Sequence, residues 1–161
     1  MAETVSRSRT SAGILLYRRT SEGIQVLLGH PGGPYFEGKD VGAWSIPKGQ
    51  AGSGEELLVV AKREFGEETG HVVGSNSRLM ELGSVRQRGG KTVYAWALEG
   101  NMDPNDAWSN TFQMEWPPRS GIFIDVPELD QVAWFTPEQA RVAMNPAQVE
   151  LVETLLAKLE G

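Results

Sequence analysis

REFGEETGH, Arg63 to His71, carries three glutamates, Glu64, Glu67 and Glu68, in close succession. On a helix, residues three and four apart share a face, so Glu64 lies beside both Glu67 and Glu68. Like charges at that spacing repel by roughly 0.2–0.5 kcal/mol per pair. The only cations beside them in sequence are Lys62 and Arg63. Carboxylates this dense form either a solvated acidic face or an oxygen-ligand site for a hard divalent cation such as Mg2+ or Mn2+, rather than zinc.

Upstream, the pattern is helical from Gly54 to about Glu68. Leu57, Leu58, Ala61 and Phe65 form an apolar stripe at helical spacing, and the three glutamates are expected on the face opposite Leu57, Ala61 and Phe65. Glu55 falls in the expected first turn, where a carboxylate suits the helix dipole. Arg63, two turns on, is placed to reach back toward that end. AWSIP, Ala43 to Pro47, predicts a short strand entering a turn rich in glycine, which lets backbone approach a ligand closely. Lys48 brings a positive charge to the same end. An ordinary strand-to-helix turn reads the same way.

Together these residues resemble the Nudix hydrolase family. Its signature runs glycine, five residues, glutamate, seven residues, then Arg-Glu-apolar-any-Glu-Glu-any-Gly-apolar. Here it stands as Gly49, Glu55, Arg63, Glu64, Phe65, Glu67, Glu68 and Gly70, within residues 49–71. Only His71 departs, at a position read as packing. SAGILLYRR and AWSIPKG resemble the flanking strands, and GHPGGPYF and MEWPPRSG resemble a bacterial subgroup described as nucleoside triphosphate pyrophosphohydrolases.

The resemblance implies an α/β fold, a Nudix-type α/β/α sandwich with a mixed central sheet. It implies a pyrophosphohydrolase that cleaves a diphosphate linkage in a free nucleotide or nucleoside diphosphate derivative, by attack of water on phosphorus. The cofactor it implies is Mg2+ (or Mn2+), held by Glu64, Glu67, Glu68 and Gly49. Catalytic roles follow for those glutamates and for Lys48, with Glu55 and Arg63 as a structural ion pair. Two alternatives accompany this reading: a dinucleoside polyphosphate (Ap4A-type) hydrolase, and a non-catalytic nucleotide-sensing Nudix domain. Loss of box glutamates would mark the sensing domain, and here all are intact.

Members of the family differ in their catalytic base. His30 and His71 are the two histidines, and both are read as packed or exposed side chains, so a carboxylate base is expected. The candidates past the box are Asp103, Asp106, Glu115, Asp125 and Glu128. Asp103 and Asp106 sit in a Pro/Asn-rich turn where Asp caps backbone. Glu115 is favoured as a further catalytic and metal-binding carboxylate, because Trp116 anchors its loop and Pro117 and Pro118 stiffen it. Glu128 is the second choice.

Elsewhere, SAGILLYRR and IQVLLGH predict two strands about the turn TSEG, and Glu81 to Gly100 predicts a hairpin turning at Gly89–Gly90. Asn101 to Gly121 is read as a long functional or mobile segment. GIFIDV and QVAWF predict two more strands. Thr136 caps a helix beginning at Pro137, and Asn145 caps another with Pro146 first. That last helix buries Val149, Val152, Leu155, Leu156 and Leu159. Arg86, Arg88 and Lys91 flank the hairpin turn and are candidates for meeting extra phosphates, with Arg86 and Arg88 as the substrate-binding choice; a solvated basic turn reads the same way. Among loop aromatics, Tyr35 and Trp116, with Phe36 and Trp108, are candidates for stacking on a base. Trp44, Trp96 and Trp134 are expected in the core.

The 161 residues fit a single domain, 1–161, with residues 1–9 expected to be disordered. No cysteine is present, which removes disulfides, thiolate zinc sites and a cysteine nucleophile. The apolar run Ala12–Tyr17 is far shorter than the ~18 residues of a membrane span. A net charge of -6 argues against a polymeric nucleic-acid partner while permitting a small nucleotide-type substrate. The expected protein is cytoplasmic, free of the membrane, and a monomer or homodimer.

Overall fold

A computed structural model describes residues 9–160. β1 (Thr10–Thr20) is the axis of its main sheet. The first part of β1, Ser11 to Gly13, pairs antiparallel with β3 (Lys48–Gln50). The last part, Tyr17 to Thr20, pairs antiparallel with β2 (Gly23–Pro31). Along its other edge β1 runs parallel to β5 (Thr92–Glu99). With β4 (Leu79–Arg86) and β8 (Leu129–Phe135) the order is β4-β5-β1-β2-β8, and β3 branches from β1. The sheet is therefore mixed and forks where β2 and β3 part. β6 (Thr111–Glu115) and β7 (Phe123–Pro127) pair only with each other.

Side chains alternate across a strand, and β1 uses both faces. Ala12, Ile14 and Leu16 meet Val60, Ala61 and Phe65 of α1 (Leu57–Thr69) on one side. Leu15 and Tyr17 meet Trp44, Ile46 and residues of α2 (Pro137–Ala143) and α3 (Val149–Glu160) on the other. The result is an α/β/α sandwich with a mixed sheet, as the resemblance implies. α2 starts under a capping box between Thr136 and Gln139 with Pro137 in its first turn. α3 buries Leu151 along with Val152 and Leu155, while Val149, Leu156 and Leu159 pack at the margin. Trp44 is buried, and Trp96 and Trp134 are partly buried against the α1-side core.

Several expectations need correction. α1 begins at Leu57, not Gly54, because Gly54 takes a left-handed φ of +80 and Glu55 is engaged in the preceding turn. The AWSIP stretch is not a ladder strand. Trp44 N–H donates to Ala143 O, Ser45 N–H to Gly29 O, and Ile46 N–H to the Gln148 side chain, so its donors serve three elements, and Pro47 has none. Asn101 to Gly121 is structured, holding a 3-10 turn at Pro104–Asp106 and then β6. The expectation for residues 1–9 falls mostly on residues outside those described, but Arg9 is placed, its guanidinium donating to Gly89 O. No helix of the described residues is long and apolar enough to cross a membrane.

The fork depends on close approach of backbones at Gly13, where a Cβ would stand 2.7 Å from Lys48 Cβ and against the Pro47 carbonyl. Gly13→Ala is expected to destabilise the chain by roughly 1–3 kcal/mol, the usual cost of overpacking. A chemical-denaturation midpoint checks it, and an unchanged midpoint would show that β3 is not held this tightly.

Candidate functional site

α1 carries its carboxylates on a face different from the one expected. At about 100° per residue, Glu64 and Glu68 fall beside Leu57 and Ala61 rather than opposite them. The buried residues of α1 are Val60, Ala61, Phe65, Glu68 and Thr69. Glu68 is only 6% exposed, Glu64 and Glu67 are half-buried, and Arg63 is exposed. The apolar stripe therefore carries two carboxylates with it toward the fork in the sheet.

There a cleft of about 360 Å³ opens, lined by Lys48, Gly49, Glu64, Glu68, Lys91 and Glu128 among others. β3 supplies Lys48 and Gly49, and the Lys48 N–H donates to Glu68 Oε1 at 3.3 Å. Gly49 has no room for a side chain, since a Cβ there would strike the Glu64 carboxyl. Glu128 stands between β7 and β8. Its N–H donates to Asn110 O at 2.8 Å, and its carbonyl accepts from Gly32 N–H at 3.2 Å.

The charges act strongly on one another. Burial, followed by the charges of Glu128 and Glu64, pushes the Glu68 carboxyl up to about 8. Glu64 is raised by burial and then by Glu67. Glu128 is solvent-accessible as a residue, yet loss of hydration raises its carboxyl too, with Glu67 adding and Lys48 opposing. Burial lowers the Lys48 ammonium, against the pull of Glu68. Each shift has the sign expected for charge withdrawn from water, and perturbed groups gathered in a cleft mark a functional site.

The helix is pinned at both ends. Ahead of it, Glu55 Oε1 accepts from Gly52 N–H at 2.6 Å while Oε2 accepts from Arg63 Nη1 at 2.9 Å. Behind it, Gly70 turns left-handed at φ 79. Trp108 N–H then donates to Thr69 O and Asn110 N–H to Glu67 O. His71, at the expected packing position, meets Phe65 edge-on with ring centroids 6.1 Å apart.

Not every candidate converges. Glu115 does not line the cleft. It closes the β6–β7 hairpin, where its Oε2 accepts from Gly121 N–H at 2.8 Å. Glu128, second in the sequence reading, faces the box helix instead. Glu67 borders the outer flank of α1 with Lys62 and Trp108. Arg86 and Arg88 are exposed and do not line the cleft, whereas Lys91 does. Tyr35 and Trp116 pair edge-on at 5.1 Å between the 31–42 loop and the hairpin, away from the cleft lining. Trp108 borders a second hollow of about 320 Å³ that shares Glu68 with the cleft. His30 is buried against Asp130 and the Lys39 carbonyl. Gln87, held by buried Gln148, is a cleft residue the sequence reading missed. No local pattern marks it.

Among the described residues no three acidic or histidine side chains are already drawn together in ligating geometry. The donor set of Glu64, Glu68, Glu128 and the Gly49 backbone carbonyl is nonetheless all oxygen, three of the four being carboxyl groups, which suits a hard divalent cation.

The family model for the NUDIX domain matches residues 7–155. An 8-oxo-(d)GTP phosphatase of Mycolicibacterium smegmatis is 41% identical over 66 residues, which are 39% of this chain and 20% of that protein. The chain thus spans about a fifth of this curated relative. An Ap4A hydrolase of C. elegans, solved as a binary complex, superposes with a TM-score of 0.65 at 21% identity, covering 94% of this chain and 98% of that one. The NUDIX domain of Shewanella oneidensis NrtR, solved with ADP ribose, gives 0.64 at 14% identity, covering 99% and 93%. At these identities the structural likeness is one of fold.

A pH dependence follows for the metal-free chain. Glu68 holds its proton up to about pH 8 when folded, against an ordinary value of 4.5. Between these values the unfolded chain has lost a proton that the folded chain keeps, so stability falls as pH rises. In chelator, the melting temperature is expected to drop from pH 4.5 toward 8, and Glu68→Gln to flatten the slope and raise the value at the upper end. Thermal melts across that range check it; parallel slopes for the two proteins would remove Glu68 as the cause.

Proposed function

The chain belongs to the Nudix hydrolase family, and from that premise we propose that it is a pyrophosphohydrolase of a free nucleotide or nucleoside diphosphate derivative, with Mg2+ or Mn2+ as cofactor. Nudix hydrolases generally use divalent metal ions. The observation that carries the reading is the arrangement of Glu64, Glu68 and Glu128 around one cleft with Lys48 at its edge. The matched relative named for 8-oxo-(d)GTP supports a nucleotide substrate.

In this reading Glu64, Glu68 and the Gly49 carbonyl would hold the cation, and Glu67 would add negative charge from the outer flank of α1. Such a cation supplies neutralisation of phosphate oxygens and lowers the pKa of water. Glu128 takes the proton from the attacking water. Its carboxyl, raised above the usual range, is closer to the working pH, where a general base is most effective. Water oxygen bonds to phosphorus, the bridging P–O bond breaks, and the departing phosphate takes the electron pair. The Lys48 ammonium faces the charge that builds on the phosphates. The Glu55–Arg63 pair keeps the turn and α1 in register, so that catalysis is largely positioning and electrostatics.

The test compares Glu128→Gln with Glu115→Gln in steady-state assays over nucleoside triphosphates, nucleotide sugars and dinucleoside polyphosphates with Mg2+ or Mn2+. Glu128→Gln is expected to lower kcat by roughly 10²–10⁴-fold, the range for lost general base catalysis, while Glu115→Gln stays near wild type. The opposite pattern would return the role to Glu115, and a wild-type chain inert on every substrate would overturn the hydrolase reading.

A further inference from the structure

The cleft has two poles. Glu64, Glu68 and Glu128, with Lys48 beside them, form one, and Lys91 stands in the same cleft. Among the described residues neither ammonium closes an ion pair. Glu68, Glu128 and Glu64 act on the Lys48 charge, whereas Lys91, exposed at the cleft wall, only repels Lys48, and an anion bound beside Lys91 relieves that repulsion.

Lys91 is presented by a braced turn. Gln87 N–H donates to Lys91 O at 2.6 Å, and Gly89 and Gly90, at φ 81 and 86, make the tight reversal. Gln87 Oε1 accepts from Gln148 Nε2 at 2.7 Å. Gln148 is wholly buried and also accepts from Ile46 N–H, on the segment that leads into Lys48. One buried amide thus ties together the two backbone segments that carry the two cations. With its oxygen committed to Gln148, Gln87 has its amide NH2 left to offer. The neighbouring Arg86 guanidinium instead lies against Gly90.

We propose that Lys91, with the Gln87 amide, anchors phosphate beyond the two that react, making Lys91 a specificity-determining residue for substrates with three or more linked phosphates over diphosphate compounds. This rests on the hydrolase reading above. A diphosphate fills the carboxylate pole through its cation and leaves Lys91 unpaired. A longer chain places added negative charge at the second pole, where a charge-assisted hydrogen bond is about twice as strong as a neutral one.

The test uses wild type, Lys91→Gln and Lys91→Arg, with GTP and ADP-ribose as substrates. Lys91→Gln is expected to raise KM for GTP by about 10-fold or more, the effect of one lost charge-assisted bond. The GTP kcat and both constants for ADP-ribose should stay within about threefold, and Lys91→Arg should restore KM. An unchanged KM for GTP, or an equal rise for both substrates, overturns the proposal while leaving the hydrolase reading intact. Calorimetric binding of inorganic tripolyphosphate and pyrophosphate, in excess Mg2+, decides the matter even if no substrate turns over. Tighter binding of tripolyphosphate that is lost in Lys91→Gln supports the anchor. Equal binding of the two by wild type overturns it.

Discussion

Burying one carboxylate beside others is the constraint on which this molecule depends. Glu68 sits against the sheet, 6% exposed, with Glu64 and Glu128 raising its proton affinity further. An ionised group withdrawn from water is costly unless paired, and Lys48, itself short of water, stops outside ion-pair distance. The offsetting contribution comes from the same helix: Val60, Ala61 and Phe65 are completely buried on the core that β1 presents. The stripe that drives α1 onto the sheet also carries Glu68 into the protein. The arrangement costs local stability, a common trade at functional sites.

Such a charged helix must be held at its ends as well as along its face. The Gly52–Glu55–Arg63 cluster holds the entry, and residues 107–110 hold the exit by donating to the last carbonyls of α1. Those carbonyls are the groups a helix leaves without internal partners. The exit strap then continues to Glu128 through Asn110 O. The spacing between the box carboxylates and Glu128 is thereby set by main-chain hydrogen bonds rather than by flexible side chains.

What the sequence made legible was local. The signature lies in one turn and one helix, so its spacing alone discloses it, and β1 and β2 show as short apolar runs because both of their faces are buried. The orientation of α1 was less legible. Val60, fully buried, was missing from the expected stripe, and Leu58 counted in its place turns the helix away from its true contact. Glu115 and Glu128 are both acids near prolines, and the neighbours that favoured Glu115, Trp116 with Pro117 and Pro118, say only that its loop is stiff, not where it points. Their roles diverge because β8 joins the main sheet through β2 while β6 and β7 pair apart from it. Lys91 and Gln87 belong with Lys48 only through the parallel pairing of β1 with β5 and the buried amide of Gln148. These are relations across 60 residues and more, which no local window contains.

The β6–β7 hairpin has a further property. Thr111 and Pro127 are paired at its base, so the chain leaves the strap at Asn110 and returns at Glu128 through nearly the same point. Everything between is a closed excursion, braced by Glu115 within itself and by Tyr35 against the neighbouring loop. Its base packs on Gly32 and Gly33 through Pro127 and Val126, while its tip at residues 120–122 is exposed. A change of length at its exposed tip would leave the two residues that flank its base registered to the box helix.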